Sequence, residues 1–316
     1  MKLSLHISII QQFFKKSITL VLFKACYNKL MARRIKRFFS AELIIISLIV
    51  LVVGLSTFFF IKNIEVYDYV IETNAFFAPF EYYDNREIKG VDVDIINRVA
   101  EKMGKTVQLK NVEFDVIIDN VSDGIIADAG AAGLTITESR AEKVDFSIPY
   151  YTSVQYVIYS KTNAPKNRGE YVVWEALAGK SLGSQTGGTG YLFMSDEAET
   201  GVLAGTNTTV KGFDSHQLAA DAIQAHLIDY AIADELAAKF IVEKNPSLAA
   251  LPLYYSGTDG MLDEPAQESY AIAVNKNRPE LLSAFNEVLT EMLIPGKDGK
   301  SEIDNLILKH MGLQDE

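Results

Sequence analysis

The stretch Gly133–Tyr151 reads GLTITESRAEKVDFSIPYY. Its first residues have the character of a strand end, and the polar residues after them indicate a turn that leads to Arg140. An arginine in such a turn can donate two parallel hydrogen bonds to a carboxylate, because its guanidinium is planar and forked. The alternative is a solvated arginine at a helix start, paired with Glu138 or Glu142. Spacing alone favours that second interpretation.

The most glycine-dense stretch is Gly183–Gly190, which reads GSQTGGTG. It does not match a phosphate-binding loop, because Trp174 stands where a loop ending in Lys180-Ser181 requires a glycine. What remains is a glycine-rich turn from a strand into a helix. Such a turn either offers backbone N–H groups to an anion such as a carboxylate or is only a tight turn.

A carboxylate closes a predicted strand, since Asp234 directly follows Ile228–Ala233. Open α/β sheets bind their ligands at the carboxyl ends of strands, so Asp234 is a candidate ligand-binding residue. The same position suits an N-cap for the helix that contains Leu236–Phe240. The local sequence fits both interpretations equally. The aromatic run Phe76–Tyr83 likewise fits either a core strand or the wall of a cleft.

Predicted strands and helices alternate after Lys62, which is typical of an α/β fold. The pattern predicts strands at 66–73, 125–132, 154–159, 181–184, 228–233 and 270–274, and helices at 92–103, 114–121 and 216–226. A long helix follows Asn277-Arg278-Pro279, where the proline suits the first helical turn.

Composition excludes several classes of protein. The 316 residues include one cysteine, Cys26, so an internal disulfide framework is ruled out. None of the four histidines forms a pair at metal-ligand spacing, and we expect neither a metal nor a cofactor. The net charge of −11 argues against a nucleic-acid partner.

Charge is distributed unevenly along the chain. Residues 1–41 contain nine Lys and Arg and no acid, and the 19 residues Leu43–Ile61 contain no charge at all. A helix that crosses a bilayer needs roughly 20 apolar residues, and basic residues at its flank stay in the cytoplasm. We therefore expect a basic cytoplasmic segment at 1–42, a single transmembrane signal anchor at 43–61 in the cytoplasmic membrane, and an extracytoplasmic domain at 66–316. A cleaved signal peptide and a buried core helix are the alternatives.

Five segments taken together resemble the family 3 extracellular solute-binding proteins, which serve polar amino acid ABC transporters. They are TNAFFAPFEYYDNREIKGVDVD from Thr73, the Gly133–Tyr151 stretch, GKSLGSQTGGTG from Gly179, IDYAIADE from Ile228, and YAIAVNKNRPELLSAFNEVL from Tyr270. They occur in the family's order between about residues 66 and 311. The resemblance implies a periplasmic-binding-protein-like fold with two α/β lobes joined by two hinge strands. Lobe 1 would comprise about 66–151 and 268–316, and lobe 2 about 152–267.

The resemblance also implies a set of ligand-binding residues, with an amino acid buried between the lobes. Arg140, Thr135 and Thr189 match positions that hold the ligand α-carboxylate. Asp234 matches the acid that pairs with the α-ammonium, and Gly133 would offer its carbonyl to the same group. The aromatic positions that enclose the ligand match Phe77 and Phe114. The implied partner is an ABC transporter permease in the membrane, with the binding protein a monomer.

Two further positions bear on which amino acid is bound. Asn74 matches a position where relatives for basic amino acids and for glutamine carry aspartate, and Gln185 matches a lysine of glutamine-specific relatives. Because both side chains are neutral here, a ligand with a charged side chain would lack a buried counter-ion unless Glu81 or Glu113 turned inward. We therefore expect a neutral polar amino acid in preference to a basic one.

Two other functions remain open at this stage. Cyclohexadienyl dehydratases share the fold and the carboxylate-binding arginine, and would need a cleft acid for general acid catalysis. The sequence offers no second acid beside Asp234, because Glu235 would point away at a helix start. A sensory amino-acid-binding ectodomain is the other alternative, although no signalling segment follows the domain in this sequence. We therefore expect a transport protein that is not an enzyme.

Overall fold

The computed structural model describes residue 16 and residues 39–62, 66–257 and 261–312. The chain divides into two compact units, Met1–Val66 and Tyr67–Glu316. Most of the basic segment predicted at 1–42 lies outside the described residues, which include only residue 16 and residues 39–42 of it.

Helix α1 spans Phe39–Lys62 and covers the uncharged segment predicted as an anchor. Its side chains are described for residues 45–56. Judged on the described part of the chain, no helix combines the length and the apolar character that a membrane crossing requires.

A five-stranded sheet forms the centre of the first lobe. Its strands are β1 (Tyr69–Thr73), β5 (Val107–Asn111), β6 (Ala129–Gly130), β7 (Asp145–Phe146) and β16 (Ala273–Val274), in the order β5–β1–β6–β16–β7. β1 is parallel to β5 and β6, whereas β16 is antiparallel to β6 and β7. A small antiparallel ribbon lies beside it, made of β2 (Phe76–Phe77), β3 (Glu81–Asp84) and β4 (Glu87–Lys89).

Five helices belong to this lobe, and the longer ones bury an apolar stripe. They are α2 (Val91–Met103), α3 (Ile117–Asp123), the short α4 (Glu138–Ala141), α8 (Pro279–Met292) and α9 (Glu302–His310). α2 buries Val91, Ile95 and Val99 at helical spacing, and α8 buries Phe285 and Val288 in the same core. α2 ends at Gly104, whose left-handed backbone closes the last turn, and α8 begins at its proline as predicted.

The second lobe is built on an eight-stranded sheet. Its strands are β8 (Tyr151–Ser160), β9 (Val172–Val173), β10 (Ser181–Gln185), β11 (Thr209–Phe213), β12 (Tyr230–Asp234), β13 (Leu248–Tyr255), β14 (Glu264–Pro265) and β15 (Gln267–Tyr270). The main order is β11–β10–β12–β8–β13–β14, with β15 paired to β8 and β9 to β13. The helices of this lobe are α5 (Thr189–Glu199), α6 (His216–Gln224) and α7 (Glu235–Lys244).

Two strands carry the chain between the sheets. β8 leaves the first lobe and β15 returns to it, and they pair antiparallel from Tyr151–Tyr270 to Val154–Gln267. Thr135, in the turn that leads to Arg140, bridges to Tyr270 at the end of the returning strand.

Two predicted strands differ most from the structure. The strand predicted at 125–132 is only β6, because Ile125 and Ile126 are exposed and Asp128 uses its side chain to bind the Val70 amide and Arg278. The strand predicted at 270–274 is two strands, since Ile272 donates its amide to the Ser147 hydroxyl instead of to a neighbouring strand. The helix predicted at 114–121 begins with a 3₁₀ turn and runs on to Asp123.

Candidate functional site

Arg140 is buried, with 7% of its surface exposed. Thr137 caps the short helix α4 by accepting a hydrogen bond from the Arg140 amide, which turns the arginine side chain inward. Nη1 donates to the Thr135 carbonyl at 2.7 Å and Nη2 to the Gly187 carbonyl at 2.9 Å. The solvated arginine that spacing favoured is therefore wrong, and among the described residues no ion pair joins Arg140 to Glu138 or Glu142.

The guanidinium keeps part of its hydrogen-bonding capacity. Of its five N–H groups, two are used by the carbonyls of Thr135 and Gly187, which leaves three for a ligand. The ring of Phe114 lies 5.6 Å from the guanidinium carbon, a cation–π distance. Burial lowers the pKa of Arg140, and the negative charges of Glu268 and Asp234 oppose that shift. The side chain remains a cation at neutral pH.

The glycine-rich turn brings a helix N-terminus to the same place. α5 begins at Thr189, and Gly188 occupies its N-cap position without a side chain that could satisfy the first backbone N–H groups. The Gly187 carbonyl that receives Arg140 lies directly before this helix start. A guanidinium and a helix N-terminus both favour an anion, so a carboxylate fits here.

Asp234 lies at the end of β12 and at the N-cap position of α7, as both sequence interpretations required. Its side chain makes no capping bond to that helix. It instead accepts a hydrogen bond from the side-chain amide of Gln155 on the neighbouring strand β8. Burial raises the pKa of Asp234 well above its ordinary value, and the negative charge of Glu268 raises it further.

Glu268 is the second acid that sequence reasoning did not find. It is 5% exposed on β15, and its Oε1 accepts from the Gln155 amide nitrogen at 2.5 Å. Its Oε2 accepts from the hydroxyl of Thr135 at 2.6 Å and from the hydroxyl of Thr189. The expectation that the cleft lacks a second acid beside Asp234 is therefore wrong.

These bonds change what the two threonines can do. A hydroxyl has one proton to donate, and both Thr135 and Thr189 direct it to Glu268. Neither hydroxyl can donate to a ligand carboxylate unless it leaves Glu268. The donors that stay available for a carboxylate are the remaining Arg140 N–H groups and the first backbone N–H groups of α5.

Gly133 occupies a position that excludes a side chain. Its φ is +54°, and a Cβ there would lie 2.4 Å from a ring carbon of Phe77. Its amide donates to Asp92 at 3.0 Å, and the Tyr150 hydroxyl donates to the other oxygen of Asp92 at 2.6 Å. Burial raises the pKa of Asp92 to about 6. Phe77 stacks on Phe80, with ring centres 5.5 Å apart.

Asn74 and Gln185 form an amide pair between the lobes. The Gln185 Nε2 donates to Asn74 Oδ1 at 2.9 Å, and Asn74 Nδ2 donates to the Val112 carbonyl at 2.8 Å. Both side chains are buried and uncharged. Their mutual bond places a neutral polar contact between lobe 1 and the carboxyl end of β10.

Seven of the nine predicted residues line one interlobe cavity, while Arg140 and Asn74 contact its lining residues. The wall consists of Phe77, Phe114, Ala132, Gly133, Thr135, Gln185, Gly188, Thr189, Gly190, His216 and Asp234. The cavity volume is about 10 Å³, which is room for about one water molecule. Within the described residues, no three His, Cys, Asp or Glu side chains converge as metal ligands.

Sequence comparison matches residues 69–301 to the model of a single protein family. The chain belongs to the bacterial extracellular solute-binding proteins, family 3. This confirms the resemblance drawn from the five sequence segments, and the two-lobed fold agrees with it.

Three relatives illustrate the likeness of this solute-binding protein. The "Probable histidine-binding protein" of Campylobacter jejuni is 28% identical over 221 residues, which cover 70% of this chain and 77% of that one. An ancestral arginine-binding protein bound to arginine has a TM-score of 0.63 at 30% identity, covering 76% of this chain and 96% of that one. The amino acid ABC transporter substrate-binding protein AbpA of Streptococcus pneumoniae, bound to L-arginine, has a TM-score of 0.64 at 26% identity, covering 78% and 94%.

The solute-binding protein joins its lobes by bonds that an opening motion would break. Arg140 reaches the Gly187 carbonyl, Glu268 reaches Thr189, and Gln185 reaches Asn74, each from one side of the cleft to the other. Because the cavity is far smaller than an amino acid, entry of such a ligand requires the lobes to separate.

Sequence reasoning missed Glu268, Gln155 and His216. The sequence carried a signal for Glu268 and Gln155, because side chains two positions apart in a strand lie on the same face of the sheet. Glu268 shares a face with the buried Tyr270, and Gln155 shares one with the buried Val157. His216 is buried at the start of α6, and burial lowers its pKa to about 4. Nothing in the sequence around His216 indicated that this residue lines the cavity.

Proposed function

We propose that this protein binds a polar amino acid between its lobes and delivers it, as a monomer, to an ABC transporter permease. The observation that supports this most is the buried Arg140, which keeps three N–H groups beside the N-terminus of α5, with Asp234 on the same cavity. A buried zwitterion needs an opposite charge at each end, and this arrangement supplies both. Relatives described as histidine-binding and arginine-binding support the ligand class.

Hinge closure follows from the division of the site between two lobes. Arg140 and Gly133 come from the part assigned to lobe 1 (66–151 and 268–316), and Thr189 and Asp234 from the part assigned to lobe 2 (152–267). A ligand that contacts both parts binds the closed form more tightly than the open one, so it shifts the population toward closure. The permease would then distinguish the loaded from the empty protein by shape.

A thermal-shift screen tests the proposed function. The segment 67–316, which is a compact unit, would be heated with each of the common amino acids. A ligand present at 100 times its Kd stabilises the folded state by about 2.7 kcal/mol, which raises the melting temperature measurably. We expect a polar L-amino acid to raise it and its D-enantiomer to have little effect. A screen in which no amino acid raises the melting temperature would contradict the proposal.

The uncharged pair Asn74–Gln185 leads to a prediction on specificity. Asn74→Asp introduces a buried carboxylate, which costs several kcal/mol unless a cation pairs with it. We therefore expect the variant to shift its preference toward arginine, lysine or histidine relative to wild type, measured as the ratio of Kd values for arginine and glutamine.

Asn207→Asp is the matched control for this experiment. Asn207 is exposed, so the same change of charge there should leave the ratio unaltered. Tighter binding of arginine than of any neutral amino acid by wild type would contradict the neutral-pocket interpretation, although it would leave the roles of Arg140 and Asp234 intact.

We also propose that the uncharged segment 43–61 anchors the protein in the cytoplasmic membrane, with the binding domain outside. The basic residues before it and the acidic composition after it support this orientation. Protease added to intact cells should then release an acidic fragment that still binds amino acid, detected by mass spectrometry and a binding assay. A fragment protected from protease, or a mature N-terminus near residue 57, would contradict the anchor.

One observation favours a second candidate function. Asp234 and Glu268 form an acid pair in the cavity, and a carboxyl with a raised pKa can act as a general acid. A cyclohexadienyl dehydratase-like activity would use it to protonate a leaving hydroxyl group. Incubation with prephenate or arogenate decides the matter, since loss of either compound with formation of an aromatic product would support the enzyme.

A further inference from the structure

Three polar side chains from adjacent strands meet beside the cavity. Gln155 on β8 lies between Asp234 on β12 and Glu268 on β15, and its side-chain nitrogen donates to a carboxylate oxygen of each. All three side chains are buried. The Gln155 side-chain oxygen has no hydrogen-bond partner in the described structure, and the hydroxyl of Tyr270 is buried next to Asp234. The cluster therefore has an unused acceptor for a ligand N–H group.

The charges around the cavity do not balance. Arg140 supplies one positive charge, whereas Asp234 and Glu268 would supply two negative charges when both are ionised. Two buried carboxylates that bond the same amide disfavour each other's ionisation, so one of them holds a proton until another cation lies beside the pair.

We propose that Asp234 and Glu268 act together as the site for the ligand's ammonium group, and that this pair holds one proton which the incoming ammonium displaces. The assignment rests on the proposed function and adds Glu268 to the binding residues. Each carboxylate keeps its bond from Gln155 while the ammonium takes the position between the acids and the cavity. No covalent bond changes, and the displaced proton passes to solvent.

The other charged or titratable groups that face the pair do not hold this proton. They are Arg140 on α4, His216 on α6, Tyr151 on β8, Tyr270 on β15 and Glu81 on β3. Burial lowers the pKa of His216 to about 4, so the imidazole is neutral near pH 7. Burial raises the pKa of both tyrosines, which stay protonated throughout. Glu81, whose pKa burial raises well above its usual value, lies against Asp92.

The direction in which ligand affinity changes with pH follows from the numbers of protons bound by the free protein and by the complex. Burial and the charge of Glu268 raise the pKa of Asp234 in the free protein, and a bound ammonium favours the ionised form and lowers it again. The free protein therefore carries more protons than the complex. Affinity must rise with pH, by up to about tenfold per pH unit when one full proton is released.

Titration calorimetry on the full-length protein in detergent measures this proton directly. L-arginine and L-glutamine are the probes, since neither side chain titrates between about pH 5 and pH 8. Binding would be repeated at one pH in buffers of different ionisation enthalpy, because released protons contribute the buffer's own heat. We expect a release that grows as the pH falls through this range and approaches one proton per ligand.

Two variants separate the pair from its surroundings. Glu268→Gln keeps the size of the side chain and its acceptor for the threonine hydroxyls but leaves Asp234 as the single acid, so proton release should vanish and affinity should become nearly independent of pH. Glu235→Gln changes the adjacent acid, which bonds Tyr156 and Lys239 instead, and should keep the wild-type release.

The outcomes distinguish the inference from the proposed function. Binding of a probe with no proton release by wild type from about pH 5 to pH 8 would overturn the shared proton and leave amino acid binding intact. Proton release that persists unchanged in Glu268→Gln would overturn the role of Glu268. If that variant does not fold, the wild-type calorimetry still decides. If neither probe binds, the amino acid found in the thermal-shift screen replaces them, and the absence of any such ligand would count against the proposed function and against this assignment with it.

Discussion

Arg140→Ala should weaken amino acid binding by about 30-fold to several-thousand-fold. Truncating one partner of a buried, hydrogen-bonded charge pair costs about 2–5 kcal/mol, and every 1.4 kcal/mol is about tenfold in Kd. The loss comes from a ligand carboxylate left without its cation, and from the missing bond to the Gly187 carbonyl on the opposite lobe. Arg140→Lys should restore little of the binding. A lysine ammonium lacks the planar fork with which the guanidinium bonds two backbone carbonyls and a ligand carboxylate at once. Isothermal titration calorimetry measures both variants.

The matched control is Arg98→Ala. Arg98 is a half-exposed arginine on α2 whose ion pair with Glu302 is 3.7 Å long, so its removal should leave Kd near the wild-type value. A thermal melt of each variant establishes that the fold persists. Binding by Arg140→Ala within about threefold of wild type would place this arginine outside the ligand site.

Periodic helices were the part of the fold that could be predicted from sequence. The prediction for α2 differs from the structure by one residue, because its apolar stripe and the glycine at its end act locally. The start of α8 follows from its proline in the same way. The strand containing Ala129 was predicted too long, because the residues before it are apolar yet lie outside the sheet. Their exposure depends on tertiary packing, which a short apolar run does not report.

The site shows the same division between local and long-range information. Spacing alone favoured a solvated Arg140, and the family resemblance implied a ligand-binding role for it. Glu268 lies 34 positions after Asp234 in the sequence, and they meet because β12 and β15 both pair with β8. The alternation with Tyr270 in a short strand indicates which face Glu268 shares, but it does not identify this neighbour. The N-cap interpretation of Asp234 was correct in position but wrong in bonding, since its side chain binds Gln155.

Asp234→Ala should have an effect of the same size as the arginine variant, about 30-fold to several-thousand-fold in Kd. In the proposed function Asp234 is the counter-charge of the ligand's ammonium group, and its removal would leave that ammonium buried without it. Glu268 cannot fully replace it, because two threonine hydroxyls and Gln155 already engage that carboxylate. Titration calorimetry at about pH 7 with the ligand found in the thermal screen measures the loss.

Asp234→Asn separates charge from shape in this prediction. Asparagine keeps an oxygen for the Gln155 amide and suits the N-cap position of α7, so the variant should fold like wild type. Its binding should nevertheless be as weak as that of the alanine variant, since a neutral amide does not compensate an ammonium. Asp221→Ala, an exposed acid on α6, is the control and should bind normally. Full affinity in Asp234→Asn would show that this residue positions the ligand by hydrogen bonding, and that Glu268 alone supplies the negative charge.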